Sequence, residues 1–406
     1  MCRRLIPVFA LLLVASPAAA GERGATERIH RVESGLVEFT SPAAMFAPDS
    51  QRLRDRKTLD ERSRHYKVPG VGIAVVQGGR LDWARGYGVA DVRTQAPVTG
   101  QTLFEAASAT KLVTAAIVLH LVQEGVLDLD ADVNRYLRSW KVPESDLTKE
   151  RKVTLRLLLS HQAGINRPDG GFSAEEGSSP TLVQVLNGAA PARNAAAAVE
   201  LAPGAKWQYS NMGYAVVQMV VEDATGKPFQ RIAREIVFGP LGMRRSTLEY
   251  PLPAGLRASE AVPHDAEGKA HEPRMSPGAV AHGGLMTTPS DFALFAVELM
   301  RAYRGESDRL LSRESARMLL TPQVALDPGM FGLAASDGLG AFLYGQGRGL
   351  VFLHPGGNDP GANCWIVGCP GTGQAAVVMT NGAMGEVLAM EILTAIMQEY
   401  AWPVGS

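Results

Sequence analysis

The sequence lacks a strong net charge, a cysteine framework and a metal-binding pattern of histidines. Its formal net charge is −1 and its Lys and Arg residues are scattered, so no basic surface for nucleic acid is predicted. None of its eight His residues stands one helical turn from another, so no metal or other cofactor is expected. Cys364 and Cys369 would lie about 16 Å apart on an extended strand, beyond the roughly 7 Å of a disulfide, and could pair only across a bend.

Long apolar runs are absent beyond the N-terminal segment, residues 1–20. This segment combines a basic pair, Arg3-Arg4, with an apolar core and ends in Pro17-Ala18-Ala19-Ala20. The pattern is typical of a secretory signal peptide, so we expect cleavage after Ala20 and a periplasmic or secreted protein. No later run approaches the roughly 20 residues that cross a bilayer, and Cys2 precedes the apolar core instead of following it. Neither a membrane span nor a lipid anchor is predicted.

What the chain does contain is an ordinary apolar fraction, 46%, and a hydrophobic period that changes along its length. The predicted strands cover residues 71–76, 81–87, 340–344, 349–353, 362–367 and 375–380. The predicted helices cover residues 108–122, 155–160, 180–187, 214–224, 292–303 and 386–400. Because short turns join successive strands, we expect an α/β (α+β) fold: an antiparallel sheet built from both chain ends, flanked by helices, with an inserted, mainly helical domain.

The stretch Phe104-Glu105-Ala106-Ala107-Ser108-Ala109-Thr110-Lys111 carries the first chemical signal. A helix that begins at Ser108 places its hydroxyl where free N–H groups and the positive end of the dipole meet. Lys111, one turn later, can reach the Ser108 oxygen, and a partly desolvated amine loses its proton readily. The pair can supply a nucleophile and its base. The alternative is that Ser108 only caps a core helix, since Ser with Lys three places on arises by chance about once in such a chain.

Two more stretches carry candidate groups. In Trp207-Gln208-Tyr209-Ser210-Asn211 a phenol and a carboxamide face the same way, and a positive Lys111 would favour the Tyr209 anion as a proton shuttle. In His354-Pro355-Gly356-Gly357, at a strand end, glycines admit a substrate backbone and leave N–H groups for an oxyanion. The alternatives are a buried aromatic with a turn-forming Asn211, and a plain glycine-rich hairpin turn.

In this order and spacing, the three stretches resemble the serine β-lactamase-related superfamily, in the branch of class C β-lactamases, D-alanyl-D-alanine carboxypeptidases and β-lactamase-like esterases. The resemblance runs over residues 69–397. Further matching segments are residues 69–76, 153–161 with Gly164, 240–243 and 283–285. The resemblance implies that Ser108 is the nucleophile and that Lys111 and Tyr209 share the general-base and general-acid roles. It also implies that Asn211 binds the substrate amide.

The third stretch contains the one departure from the family pattern. By the resemblance, the N–H groups of Ser108 and Gly357 form the oxyanion hole beside Gly356, and His354 stands where many relatives carry Lys. Pro355 stands where these relatives carry Thr, whose hydroxyl helps to hold a substrate carboxylate. Pro supplies neither a hydroxyl nor an N–H, so we expect weaker recognition of carboxylate-bearing β-lactams and peptides, with acyl transfer intact.

The sequence therefore predicts an exported serine hydrolase that forms an acyl-enzyme on Ser108 and acts on esters or peptide-like amides, with esters favoured. Its partners would be small ester, β-lactam or short peptide substrates. One alternative is a true β-lactamase, D-alanyl-D-alanine carboxypeptidase or D-aminopeptidase, and another is an envelope binding or sensing protein without turnover. An α/β-hydrolase is disfavoured because no Gly-x-Ser-x-Gly elbow occurs. We expect a sheet domain of residues 21–105 and 285–406, a helical domain of 106–284 and the active site in the cleft between them.

Overall fold

The computed structural model describes residues 17–40, 55–167, 178–272, 278–328 and 334–403, with side chains from residue 24 onwards. Residues 1–16 of the predicted signal peptide lie outside the described residues. Helix α1, Pro17–Glu33, runs past the predicted cleavage point at Ala20. Within the described ranges, no helix has both the length and the apolar character needed to cross a bilayer.

Both ends of the described chain contribute strands to one sheet, and the chain between them is mainly helical. The strands are β1 Gly70–Gln77, β2 Arg80–Asp91, β3 Ala96–Pro97, β4 Phe104–Glu105, β5 Met286–Thr287, β6 Val324–Ala325, β7 Ala335–Asp337, β8 Phe342–Tyr344, β9 Val351–Asn358, β10 Ala362–Cys369 and β11 Gln374–Thr380. The helices after α1 are α2 Leu59–Tyr66, α3 Thr110–Gln123, α4 Leu155–Leu159, α5 Leu182–Asn187, α6 Asn211–Thr225, α7 Phe229–Ala233, α8 Gly239–Leu241, α9 Ala254–Arg257, α10 Pro289–Arg304, α11 Arg313–Leu319 and α12 Gly385–Glu399.

The main sheet has nine strands in the order β3-β2-β1-β11-β10-β9-β8-β7-β6, and its neighbouring strands are antiparallel. Its first three strands come from the N-terminal part of the chain and the other six from the C-terminal part. Strands β4 and β5 form a separate two-stranded sheet; β4 comes directly before the helical middle of the chain and β5 directly after it. The predicted antiparallel sheet built from both chain ends is confirmed, whereas the predicted domain boundaries stay a prediction.

Both faces of the central strands are covered, which explains why their sequences are almost uniformly apolar. Along β1, Ala74 and Val76 pack with the helical middle, while Ile73 and Val75 pack with the last helix, α12. This is the alternation of period two expected for a strand, with an apolar layer on each side. Helices α1 and α2 contact α12 on one face, and α10 lies against β1 and β11 on the other.

Several predicted boundaries differ from the structure by a few residues, and two of these differences affect the candidate site. The α-helix expected to begin at Ser108 begins at Thr110, because a turn of 3-10 helix, Ala107–Ala109, precedes it. The His354 motif does not mark a strand end, because β9 continues through it to Asn358 and stays paired with β10. Because β8 pairs only with residues 351–353 of β9, the motif lies on the part of β9 that has no strand of the described chain on that side, next to the 3-10 turn.

Candidate active site

Ser108 lies in the 3-10 turn directly before α3. The preceding residue, Ala107, has φ +43°, in the left-handed region that residues other than glycine seldom adopt. The Thr110 hydroxyl holds the turn, because it donates to the Ala107 carbonyl at 2.7 Å and accepts from the Leu285 N–H at 3.1 Å. Ser108 is thus presented on a strained turn that the chain around Leu285 keeps in place.

Strand β9 approaches this turn so closely that a side chain would not fit at position 356. A Cβ atom on Gly356 would lie 2.1 Å from the carbonyl oxygen of Ala106 and 3.0 Å from the amide nitrogen of Ala109. Only glycine allows two backbones to approach in this way. Gly356 therefore brings the backbone of β9, including Gly357, to the same cavity as Ser108.

The side chain of Lys111 is fully buried and points at the nucleophile. Its Nζ lies 3.2 Å from Ser108 Oγ, 2.8 Å from Asn211 Oδ1 and 2.7 Å from the carbonyl oxygen of His282. Burial holds the pKa of Lys111 well below its usual value, and the charge of Arg167 lowers it further. A neutral amine has two N–H donors for the two carbonyl oxygens and one lone pair for the Ser108 hydroxyl.

Tyr209 also reaches the nucleophile, since its hydroxyl is hydrogen-bonded to Ser108. The Lys111 Nζ lies 4.9 Å from the centre of the Tyr209 ring. Burial raises the pKa of Tyr209, although its hydrogen bond with Ser108 and the charge of Arg167 oppose the rise. The expectation that Lys111 would stabilise a Tyr209 anion is therefore wrong, because burial favours the neutral forms of both groups.

Asn211 contacts the amine of Lys111. It is the first residue of α6, directly after the N-cap Ser210. Its side-chain oxygen accepts the hydrogen bond from Lys111, and Asn211 does not line the cavity beside Ser108. In this structure Asn211 orients the amine, and binding of the substrate amide by Asn211 stays a prediction.

A cavity of about 610 Å³ opens in front of Ser108 and Tyr209. Strand β9 contributes the four residues of its motif to the lining, and Trp207 and Phe342 add aromatic surface. The charged residues of the lining are Arg167, Lys206 and Glu386. The volume matches a small-molecule site, and the lining mixes apolar surface with a few polar groups.

The β9 motif presents no cation to this cavity. His354 is 2% exposed, and its Nδ1 lies 2.6 Å from the carbonyl oxygen of Pro355. Burial lowers the pKa of His354 to about 3. A neutral His354 uses its Nδ1 proton for Pro355, and the Pro355 ring has no donor. Neither residue is equipped to hold a substrate carboxylate.

Some groups of the site had no signal in the sequence. Arg167 lines the cavity with its guanidinium carbon 5.5 Å from the centre of the Tyr209 ring, yet it belongs to no motif. Asp337, on β7, accepts a hydrogen bond of 2.7 Å from the Trp207 ring N–H, and burial raises the pKa of Asp337 to about 8. Trp207 and Asp337 are far apart in the chain, so only the fold brings them together.

The structure also locates the residues considered for metal or disulfide chemistry. Among the described residues, no group of three His, Cys, Asp or Glu side chains is arranged to hold a metal. Cys364 and Cys369 lie on the same strand, β10, as buried free thiols. They remain on one extended strand, which is the arrangement that prevents pairing.

Comparison with known proteins agrees with this geometry. The family described as Beta-lactamase matches residues 56–399. Penicillin-binding protein 4 of Amycolatopsis lactamdurans is 30% identical over 84% of this chain and 87% of its own length. Esterase EstB of Burkholderia gladioli is 30% identical over 78% of this chain and 83% of its own.

Solved structures share the same fold. A crystal structure of SurE superposes with a TM-score of 0.69 at 28% identity, over 86% of this chain and 75% of that one. The sheet from both chain ends, the Ser108 turn and the match over residues 56–399 all point the same way. The chain belongs to the beta-lactamase family of serine hydrolases.

Proposed function

We propose that this protein is an exported hydrolase that forms an acyl-enzyme on Ser108 and acts on small esters in preference to β-lactams. The observation that carries the proposal is the set of contacts at Lys111. Its two acceptors, Asn211 and the His282 carbonyl, hold the amine so that its remaining position faces the Ser108 hydroxyl at 3.2 Å. A buried, neutral amine in this place can act as the general base.

Acylation follows from these contacts. Lys111 takes the hydroxyl proton as Ser108 Oγ attacks the ester carbonyl, and the N–H groups of Ser108 and Gly357 stabilise the oxyanion. Tyr209, kept as a phenol by burial, gives its proton to the departing alcohol oxygen and regains one from Lys111. The ester bond breaks, the alcohol leaves, and the acyl group remains on Ser108.

Deacylation uses the same groups with water in place of the alcohol. Lys111 and Tyr209, acting together as the general base, take a proton from water as the water oxygen attacks the acyl carbonyl. The proton then returns to Ser108 Oγ as the acid leaves. Lys111 is neutral at the start and end of each half-reaction. No metal or cofactor takes part in the proposed sequence of steps.

The preference for esters rests on the β9 motif. A β-lactam or a peptide that ends in D-alanine carries a carboxylate near the bond that is cleaved. In this chain the neighbouring side chains are a neutral His354 and Pro355, which offer no charge and no hydroxyl. A neutral ester needs neither, so it loses less binding energy than a carboxylate substrate.

Export rests on the N-terminal sequence, residues 1–20. Removal of this segment would take away only the first four residues of α1. The apolar side chains of α1 that join the core, Ile29 and Val32, lie later in the helix. The processed chain therefore keeps the packing of α1 on the sheet layer.

A substrate panel tests the proposal. Wild-type protein and Ser108→Ala are compared on p-nitrophenyl acetate, a chromogenic cephalosporin and a D-amino-acid amide. We expect the ester to have the highest kcat/KM and its turnover to vanish in Ser108→Ala. A higher kcat/KM for the cephalosporin or the amide contradicts the ester preference, and the absence of any turnover favours a binding or sensing protein.

A further inference from the structure

His161 lies beneath Tyr209 and takes no part in the proton transfers proposed for Ser108, Lys111 and Tyr209. It is 3% exposed, and its ring centre lies 4.3 Å from that of Tyr209, with the planes tilted by 36°. It adopts φ +55°, a left-handed conformation that is uncommon for His. A buried polar ring in a strained backbone needs a reason in its contacts.

Those contacts bracket Tyr209 on both sides along the chain. The carbonyl oxygen of His161 accepts a hydrogen bond of 2.7 Å from the Gln208 N–H. Its Nδ1 accepts one of 3.1 Å from the Ser210 N–H. His161 thus binds the residue before Tyr209 and the residue after it, while its ring packs on the phenol between them.

The protonation state of His161 suits this arrangement. Nδ1 accepts a hydrogen bond, so the proton of the neutral ring is on Nε2. Burial holds the pKa of His161 well below its usual value, and the charge of Arg167 lowers it further. The acceptor on Nδ1 therefore persists across the working pH range, and the ring brings no charge to Tyr209.

We propose that His161 is a positioning residue that fixes the backbone and ring of Tyr209 so that its hydroxyl stays on Ser108. The proposal rests on the proposed role of Tyr209 as proton donor. We call the contacts of His161 with Gln208, Ser210 and the Tyr209 ring the clamp. Loss of the clamp should lower the rate of the chemical step and leave substrate binding nearly unchanged, because His161 does not line the cavity.

Three substitutions separate the clamp from a general packing role. His161→Asn keeps an acceptor for the Ser210 N–H and tolerates the left-handed backbone. His161→Gly tolerates that backbone without supplying the acceptor, and His161→Ala has neither property. His264→Ala is the matched control, since His264 is also a buried His but bonds Val92 and Asn381 instead.

The experiment measures kcat and KM for p-nitrophenyl acetate, with thermal unfolding to confirm that each variant is folded. We expect kcat to fall about 10-fold or more in His161→Gly and His161→Ala, with KM within about twofold, and to stay within about threefold of wild type in His161→Asn and His264→Ala. In a Tyr209→Phe background, His161→Gly should cost less than about threefold, because the group that it positions is gone.

The proposal is overturned if His161→Gly costs the same factor with and without the Tyr209 hydroxyl, or if His161→Asn is as slow as His161→Gly. If His161→Ala does not fold, the Asn and Gly pair still decides the question. Failure of the proposed function has a different signature, since it would leave ester hydrolysis intact in Ser108→Ala.

Discussion

The amine nitrogen of Lys111 lies 3.2 Å from the hydroxyl oxygen of Ser108, at a site where Lys111 has no exposed surface. Burial holds the pKa of this amine well below its usual value and so favours its neutral form, and its hydrogen bonds to Asn211 and to the His282 carbonyl fix its direction. A primary amine in water is mostly protonated at neutral pH and is a poor base. The fold therefore makes a base of Lys111 by removing water from it.

Loss of either proton-transfer group should slow acylation strongly. We expect Lys111→Ala and Tyr209→Phe each to lower the acylation rate on the order of 10²-fold or more, the usual effect of losing a positioned proton donor or acceptor. Since both groups contact Ser108, the double variant should lose much less than the product of the two factors. Stopped-flow acylation with an activated ester measures this, with the exposed Lys227→Ala as control. Fully multiplicative losses would show that the two groups act independently.

Restoring the missing hydroxyl on β9 should change substrate choice. Pro355→Thr adds a donor at the position where relatives carry Thr, and one charge-assisted hydrogen bond contributes about 1.5–3 kcal/mol. The ratio of kcat/KM for a cephalosporin to that for a neutral ester should therefore rise roughly 10-fold to 100-fold. An unchanged ratio in a folded variant would mean that Pro355 does not decide carboxylate recognition.

Adding a methyl group where β9 meets the nucleophile turn should inactivate the protein. In Gly356→Ala the new Cβ would start 2.1 Å from the Ala106 carbonyl oxygen, so either β9 or the turn must move. A displacement of about 1 Å at a reacting group can lower a rate about 10²-fold. Gly100→Ala is the matched control, because a Cβ there meets nothing within 4 Å. Ester hydrolysis at near wild-type kcat in Gly356→Ala would contradict the close approach.

Glu105, on β4, should make the stability of the fold depend on pH. Its side chain is 3% exposed and accepts a hydrogen bond of 2.9 Å from Asn358, and burial raises the pKa of Glu105 from 4.5 to about 7, with repulsion from Glu260 adding to the rise. Between those two pH values the folded state binds more protons than the unfolded state, so the free energy of unfolding falls as pH rises. The shift corresponds to about 3 kcal/mol.

The substitution Glu105→Gln removes this titration and keeps an acceptor for Asn358. Relative to wild type, the variant should gain stability as pH rises from below 4.5 to above 7, by up to about 3 kcal/mol. Denaturant unfolding at about pH 3.5 and at about pH 8.5, on either side of the titration, measures the difference. If Glu105→Gln changes stability by the same amount at both pH values, the pKa of Glu105 is not raised in the folded state.

The sequence predicts the sheet because its signals are local. Apolar strands joined by short turns at both chain ends indicate antiparallel pairing, and β1, β2, β10 and β11 lie where the pattern places them. Ser108 and Lys111 are one helical turn apart, so their proximity also follows from local geometry.

What the sequence could not provide depends on packing between distant segments. A charged Lys111 would lower the pKa of Tyr209, yet this pKa is raised, because the extent of burial is a property of the fold. The hydrogen bond from Lys111 to Asn211 and that from Trp207 to Asp337 join residues that are far apart in the chain. The left-handed conformation of Ala107 carries no glycine signal that would reveal it.

Covalent labelling of Ser108 tests the central claim most directly. The folded protein is exposed to a p-nitrophenyl phosphonate, digested and examined by mass spectrometry, with Ser108→Ala treated in parallel. The account predicts one adduct, on the peptide that contains Ser108, and none in Ser108→Ala. A folded wild-type protein that stays unlabelled, or an adduct that persists in Ser108→Ala, would contradict it.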